Sequence, residues 1–380
     1  MTKVRARQLG LKFPGITGRY NAITDVEGVL VGYHTIDGVS RDGKRIKTGV
    51  TAILPRGYQS EPQPVWAGCH ALNGNGEMTG GHWIRDGGYF VGPVCLTNTH
   101  SVGIVHHAAV RWIVEHYHNI WQLNHLWAMP VVAETYDGVI NDINGLHITE
   151  EDALAALNSA TGGILAEGNI GGGNGMICYG FKGGTGTASR RFTVEGKDYT
   201  LGALVQANYG QREWFELFGV PVGKLMPEIP SGLERERGSI ITILATDAPL
   251  MPHQLQRLAR RAGLGIAKSG SPGGNNSGDI FLAFSTANAA PLPQLAGMHQ
   301  SFEYLNDECF DALYLAAVES THEAVINAML TAEDAVMQRP AGICKAIDAQ
   351  VLYQLIKQMN PAAVEAWRGS GGNGCQSVPG

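Results

Sequence analysis

The sequence predicts a layered α+β sandwich, and three observations carry that prediction. Strand-like segments come in neighbouring groups and helix-like segments in pairs, without the regular strand–helix alternation of a doubly wound sheet. The chain of 380 residues is 44% hydrophobic but only 16% charged, and its 51 glycines are about twice the usual share of ~7%. That composition suits several packed layers with close backbone approaches. No Ser/Pro-rich linker, charge block or internal repeat divides the chain, so one large unit is expected although the length alone allows two or three domains.

The elements follow in order. Residues 20–60 hold apolar runs between turn signals, ITDVEGVLVGYHTI and GVTAILPRG, which read as strands. Residues 65–88 read as glycine-containing turns with polar groups. SVGIVHHAAVRWIVEHYHNIW (101–121) has helical spacing, with Val105, Ala108, Ala109, Trp112, Ile113 and Tyr117 on one face. MPVVAETYDGVIND (129–142) reads as a strand and a turn, and EEDALAALNSA (150–160) as a helix. Residues 168–191 are the most glycine-dense stretch before the tail, and TLGALVQANYG (200–210) reads as a strand. Ile240 to Ala245 is a short buried strand. PHQLQRLARRAG (252–263) is a helix with Pro in its first turn and Gly at its end. A strand, DIFLAFSTAN (279–288), and helical segments at 305–332 and 345–359 complete the chain before an expected mobile tail at 368–380.

Several function classes fit poorly. A net charge of −6 without a basic, aromatic-interleaved stripe argues against nucleic-acid binding, and RARQ and RLARR (257–261) read as solvated helix faces. The six cysteines form no CxxC pair. The N-terminal segment lacks a continuous apolar core and no run is long enough to span a bilayer, so a soluble cytoplasmic protein with reduced thiols is expected. His106, His107, His116 and His118 share one helix without the spacing of a metal site, and HExxH is absent. The glycine-rich stretch carries no GxxxxGK[ST], so close packing or an irregular turn is the better account of it. A GxSxG elbow is also absent, though a triad assembled from distant residues stays open.

The segment PSGLERERGSIITILATDAPL (230–250) holds one unusual junction: an exposed charged loop ends in Gly238, and Ser239 begins a core strand. A chain broken between them gives Ser239 both a hydroxyl and a free α-amine. Such an amine has an ordinary pKa of ~7.7–8.0, near enough to neutrality to act as a base. A bare Gly238 leaves its carbonyl unshielded and tolerates strained dihedrals. On dipeptide grounds alone a Gly-Ser pair is an ordinary turn.

NGNGEMTG (73–80), TNTHSVG (97–103), AETYDG (133–138), GNIGGGNGMICYGFKGGTGTASR (168–190), QANYG (206–210), ERGSI (236–240) and NNSGDIFLAFSTAN (275–288) together resemble the DmpA family, the L-aminopeptidase/D-alanyl esterase-amidases and β-aminopeptidases. The resemblance spans nearly the whole chain, in order. It implies a four-layer αββα sandwich, akin in architecture to N-terminal nucleophile hydrolases. It further implies self-cleavage at Gly238–Ser239 into an α chain (1–238) and a β chain (239–380), which pair and assemble as a homotetramer.

Carried over by position, Ser239 is the nucleophile and its freed amine the base. Ser277 and Asp279 tune that amine, some relatives having Glu in place of Asp279. Asn208 is the oxyanion donor, and Tyr136 stabilises the same charge. Glu134 binds the substrate's ammonium, and Trp127 lines the pocket. No cofactor is implied; the partners are short peptides or amino-acid amides and esters. By residue type alone, Tyr136 and Asn208 also fit turns, Glu134 a surface acid, Ser277 and Asp279 an Asx-type turn, and Trp127 plain core. Rival readings are an ornithine acetyltransferase-like acyl transferase, for which Thr is expected at 239, a non-catalytic ligand-binding protein of the same fold, and a metallo-aminopeptidase.

Overall fold

A computed structural model describes residues 3–229, 233 and 238–365. Most of the charged loop before the Gly238–Ser239 junction and the C-terminal tail lie outside the described residues.

β1 (Leu30–Val39) and β2 (Arg45–Leu54) form an antiparallel hairpin. β3 (Val65–Ala71) enters a second sheet, followed by α1 (Gly81–Gly87) and β4 (Tyr89–Phe90). β5 (Val94–Asn98) returns to the first sheet beside β2. α2 (Val102–His116) and α3 (His118–Leu123) then cross to β6 (Val131–Thr135), which lies parallel to β5. α4 (Glu150–Asn158) opens with a capping box on Thr149 and Asp152. The short pair β7 (Ile177–Cys178) and β8 (Phe181–Lys182) precedes the long hairpin of β9 (Gly184–Val194) and β10 (Lys197–Asn208). After α5 (Val222–Leu225), β11 (Ser239–Thr246) and β12 (Ile280–Ser285) run parallel, joined through α6 (Pro252–Ala267). The chain continues with α7 (Asp311–Leu330), the small hairpin of β13 (Ala335–Met337) and β14 (Gly342–Cys344), and α8 (Ala349–Met359).

Two sheets result, ordered β1-β2-β5-β6 and β4-β3-β12-β11-β10-β9. Their facing sides pack together through Ile53, Leu96 and Val131 from one sheet and Leu204, Ile241, Ile243 and Leu282 from the other. The outer side of the four-stranded sheet, with Val50, Cys95 and Val132, lies under α2 and α4. The outer side of the six-stranded sheet, with Ala203, Ile240, Leu244 and Phe281, lies under α6 and α7. The layers are therefore αββα. β11 is buried on both faces, which explains why Ile240–Ala245 is apolar but for Thr242, without regular polar alternation.

The structure departs from the sequence expectations at four places. Residues 101–121 form two helices, because the backbone leaves helical geometry at Tyr117. α6 runs past Gly263 to Ala267, and the glycine that matters is Gly265: a Cβ there would lie 2.6 Å from Thr321 Cβ, so it lets α6 and α7 touch. The glycine-rich stretch contains most of β9, where a Cβ on Gly186 would meet the Ala324 carbonyl oxygen of α7 at 2.0 Å. Residues 65–88 hold β3 and α1 as well as turns. Elsewhere in the glycine-rich stretch, Gly172 and Gly173 pack so tightly that a Cβ would meet Gln206 Oε1 at 2.1 Å or Thr185 N at 2.2 Å. Close backbone packing is what those glycines provide.

Candidate active site

The candidate site forms where the C-terminal end of β10, the start of β11 and the approach to β12 meet the end of β6. Antiparallel register sets Asn208, the last residue of β10, opposite Ser239, the first of β11. Both are buried. Asn208 is held at each end of its amide: Oδ1 accepts from Ile177 N at 2.8 Å, and Nδ2 donates to the Tyr136 carbonyl at 2.8 Å. Tyr136 follows β6, so this side chain ties the two sheets together. Two bonds leave the amide plane little freedom, which suits a fixed donor.

Ser239 Oγ accepts from Gly278 N at 3.3 Å. On either side of Gly278, Ser277 and Asp279 are fully buried and linked, Ser277 Oγ donating to Asp279 Oδ1 at 2.5 Å. The same carboxylate oxygen accepts from Ile240 N at 3.3 Å. Among the described residues, Asp279 Oδ2 is buried with no hydrogen-bond partner. Burial pushes this carboxyl up to about 6, against the lowering effect of Ser277 and Ile240. A buried carboxylate oxygen without a donor is costly.

Gly238 sits against Asn208, and a Cβ at 238 would fall 1.5 Å from the Asn208 carbonyl oxygen and 2.8 Å from its Nδ2. The requirement for glycine here is space. Gly238, Asn208 and Tyr136 share one pocket, closed on its apolar side by Val139 and Ile177. The Tyr136 side chain is partly exposed, and its hydroxyl lies over Gly138, where a Cβ would come within 2.3 Å of Oη. The glycine of TYDG therefore makes room for the tyrosine that precedes it by two positions.

Glu134 lies in β6 and is buried. Its Oε1 accepts from Glu77 N at 2.9 Å and its Oε2 from Thr99 Oγ1. Burial raises its pKa, opposed by those two donors. Gly76 intervenes between this carboxylate and the β12 approach: a Cβ on Gly76 would lie 3.0 Å from Glu134 Oε1 and 3.6 Å from Gly278 Cα. The site thus brings an amide donor and a phenol to the pocket, with the Ser239 hydroxyl and two buried carboxylates packed close behind them. Among the described residues, no group of three His, Cys, Asp or Glu side chains could hold a metal ion, and His116 is stacked on Trp112 at 4.6 Å. Nor is any described helix long and apolar enough to cross a membrane.

The family described as peptidase family S58 matches residues 21–341. The chain belongs to peptidase family S58. It is 55% identical to the structure of L-aminopeptidase D-Ala-esterase/amidase from Ochrobactrum anthropi, with a TM-score of 0.90 over 95% of this chain and 99% of that one. That structure is described as a prototype for the serine aminopeptidases and a variant of the Ntn hydrolase fold. A β-aminopeptidase from Burkholderia sp. superposes with a TM-score of 0.85 at 42% identity, covering 94% of this chain and 99% of its own. The beta-peptidyl aminopeptidase BapA of Sphingosinicella microcystinivorans is 48% identical over 349 residues, 87% of this chain and 86% of its own. This S58 chain is accordingly a hydrolase, an aminopeptidase of the serine type.

In this S58 peptidase, Ser239, Gly238, Asn208, Tyr136, Ser277, Asp279 and Glu134 converge. Trp127 does not join them. It lies before β6, at the end away from Glu134, half-exposed and edge-on to Trp83 at 5.7 Å. The resemblance expects it in the pocket, but within this chain it precedes β6 and does not line the pocket that holds Tyr136 and Asn208. Thr99, Glu77 and Gly278 were missed. All three fall within motifs singled out from the sequence, but two of them act through backbone N–H groups that no side-chain pattern reveals.

Proposed function

We propose that this S58 peptidase cuts its own Gly238–Ser239 bond and then, through an acyl-enzyme on Ser239, releases N-terminal residues from short peptides, amino-acid amides and esters. The observation that carries the reading is the place of Ser239: first residue of a buried central strand, opposite Asn208 and beside an unpartnered Asp279 oxygen. In self-cleavage, Ser239 Oγ bonds to the Gly238 carbonyl carbon as the C–N bond breaks, and Ser239 N takes up the hydroxyl proton. Water then opens the ester, leaving a Gly238 carboxylate and a free Ser239 amine. The nitrogen so freed is one residue from Ile240 N, which already donates to Asp279. Asp279 Oδ2 is a ready partner for it, and Ser277 holds the carboxylate in place.

In turnover, the amine takes the Oγ proton as Oγ attacks the substrate carbonyl. The oxyanion is met by an Asn208 N–H and the Tyr136 hydroxyl, fixed donors of the kind worth ~2.7–4 kcal/mol each. The amine then protonates the leaving group, and water hydrolyses the acyl ester by the same route in reverse. Glu134 pairs with the substrate's ammonium, which gives a buried carboxylate in this part of the molecule a role. The named relatives act on β-peptides, L-amino-acid substrates and D-alanyl esters or amides, which sets the substrate classes to try first.

The α and β chains stay together as one αββα unit in this reading, assemble as a homotetramer and work in the cytoplasm. Intact mass and N-terminal sequencing of the purified protein test the central step. Two chains are expected, one beginning Ser-Ile-Ile-Thr; a single chain of 380 residues, stable over days, would refute self-processing.

A further inference from the structure

An aminopeptidase measures its substrate between two points, the carboxylate that takes the ammonium and the hydroxyl that attacks the carbonyl. Here those points belong to different sheets. Glu134 is on β6 of the four-stranded sheet and Ser239 on β11 of the six-stranded sheet. The loop after β3 bridges them. Its start is paired to the β12 approach by Leu72 N donating to the Asp279 carbonyl at 2.9 Å. Asn73 Nδ2 donates to Gly274 O at 2.9 Å and Asn75 Nδ2 to Asn276 O at 2.7 Å. The Asn75 carbonyl rests on Gly278, where a Cβ would meet it at 2.1 Å. Gly278 N donates to Ser239 Oγ, and two residues past Asn75, Glu77 N donates to Glu134 Oε1. Five consecutive residues, 73–77, thus connect one end of the ruler to the other.

We infer that this loop is a spacer that fixes the gap between the Glu134 carboxylate and Ser239, making Asn75 a specificity-determining residue that separates α- from β-aminoacyl substrates. The inference rests on the reading of Glu134 as the ammonium partner. A β-aminoacyl group carries one more methylene between amine and carbonyl, adding roughly one carbon–carbon bond of ~1.5 Å to the span. A misplacement of ~1 Å at a reacting centre is enough to change a rate about 10²-fold, so a rigid spacer discriminates and a loose one does not. The loop itself is exposed, with little core to hold it. Its side-chain ties to the 274–276 backbone add to the bonds made by Leu72 N and Glu77 N in holding it in place.

The test is the ratio of kcat/KM for β-alanyl and L-alanyl p-nitroanilides, measured on the wild-type protein and on Asn75→Ala and Asn73→Ala. Each variant removes one tie, and mass analysis checks that both chains are present. The wild-type ratio is expected to differ from one by about tenfold or more in either direction, and Asn75→Ala to bring it at least about fivefold closer to one, mainly through KM. Glu134→Gln serves as the control for the underlying reading, and should raise KM for both substrates. If Glu134→Gln leaves KM unchanged, the ammonium assignment fails and the spacer with it. If Glu134→Gln behaves as expected but the ratio in Asn75→Ala stays put, or the wild type shows no selectivity, the spacer alone is overturned. Loss of processing in both Asn variants would show ties that hold the fold, and would overturn it equally.

Discussion

Asp279 illustrates what one residue can report about the uncut chain. Its carboxyl is raised to about 6 by burial, above the ordinary ~3.9 of an unfolded chain. Between those two values the folded state keeps a proton that the unfolded state releases, so stability falls as pH rises through that window, and above about 6 the buried charge of Asp279 is a full penalty on the fold. In a Ser239→Ala chain, which on the proposed reading stays uncut, Asp279→Asn should therefore raise the thermal midpoint at pH 8, equivalent to a stability gain on the order of 1–2 kcal/mol, the gap closing towards pH 4. A gap that does not change with pH would show that the charge is not the cause. Asn208, Ser239, Ser277, Asp279 and Glu134 stand out in the sequence because they fall in motifs that follow the family's order along the chain. Their partners do not: Ile177, Glu77, Ile240 and Gly278 contribute main-chain N–H groups, and any residue type supplies one.

At the scale of elements, the strands rich in Val and Ile and the helix expected over 150–160, found as Glu150–Asn158, are readable, while glycine misleads twice. Gly263 sits where a helix stop is expected, yet α6 continues, since a glycine that ends a helix and one that lets a neighbour approach look alike in sequence. The crossing at Gly265 is the tighter constraint. Gly265→Ala would set a methyl 2.6 Å from Thr321 Cβ and 2.9 Å from the Val318 carbonyl oxygen. Both neighbours belong to a buried helix and cannot simply swing away. A loss of about 1–3 kcal/mol is expected, read as a lower thermal midpoint; an unchanged midpoint would mean that α6 and α7 can slide apart freely. β9 was hidden for the same reason, its first residues being small because α7 lies across them and not because they form a turn.

The arrangement of the whole molecule bears on what self-cleavage would leave behind. β11 and β12 lie side by side in the middle of the six-stranded sheet, β12 bonded to β3 and β11 to β10, both from before the junction. The layer between the sheets likewise joins Ile241, Ile243 and Leu282 to Ile53, Leu96 and Leu204. The four-stranded sheet belongs wholly to the first segment, but the six-stranded sheet and the layer between the two sheets are each built from both. Unfolding followed by dilution should therefore separate two behaviours. Uncut Ser239→Ala chains are expected to refold at a rate independent of protein concentration, whereas the cut enzyme should regain activity with second-order kinetics and a yield that falls on dilution. Concentration-independent recovery of the cut enzyme would show that one segment folds alone and contradict the interleaved architecture.

That interleaving gives the junction a direction in time. Before the cut, the central strands find their places as parts of one polymer, at the high local concentration that a covalent tether ensures. After a cut there, the tether would be gone while the strand pairings it helped to form could remain. An enzyme cut in this way would remember a connection it no longer has: it could be made only through its precursor, and once taken apart in dilute solution it would have no unimolecular way home.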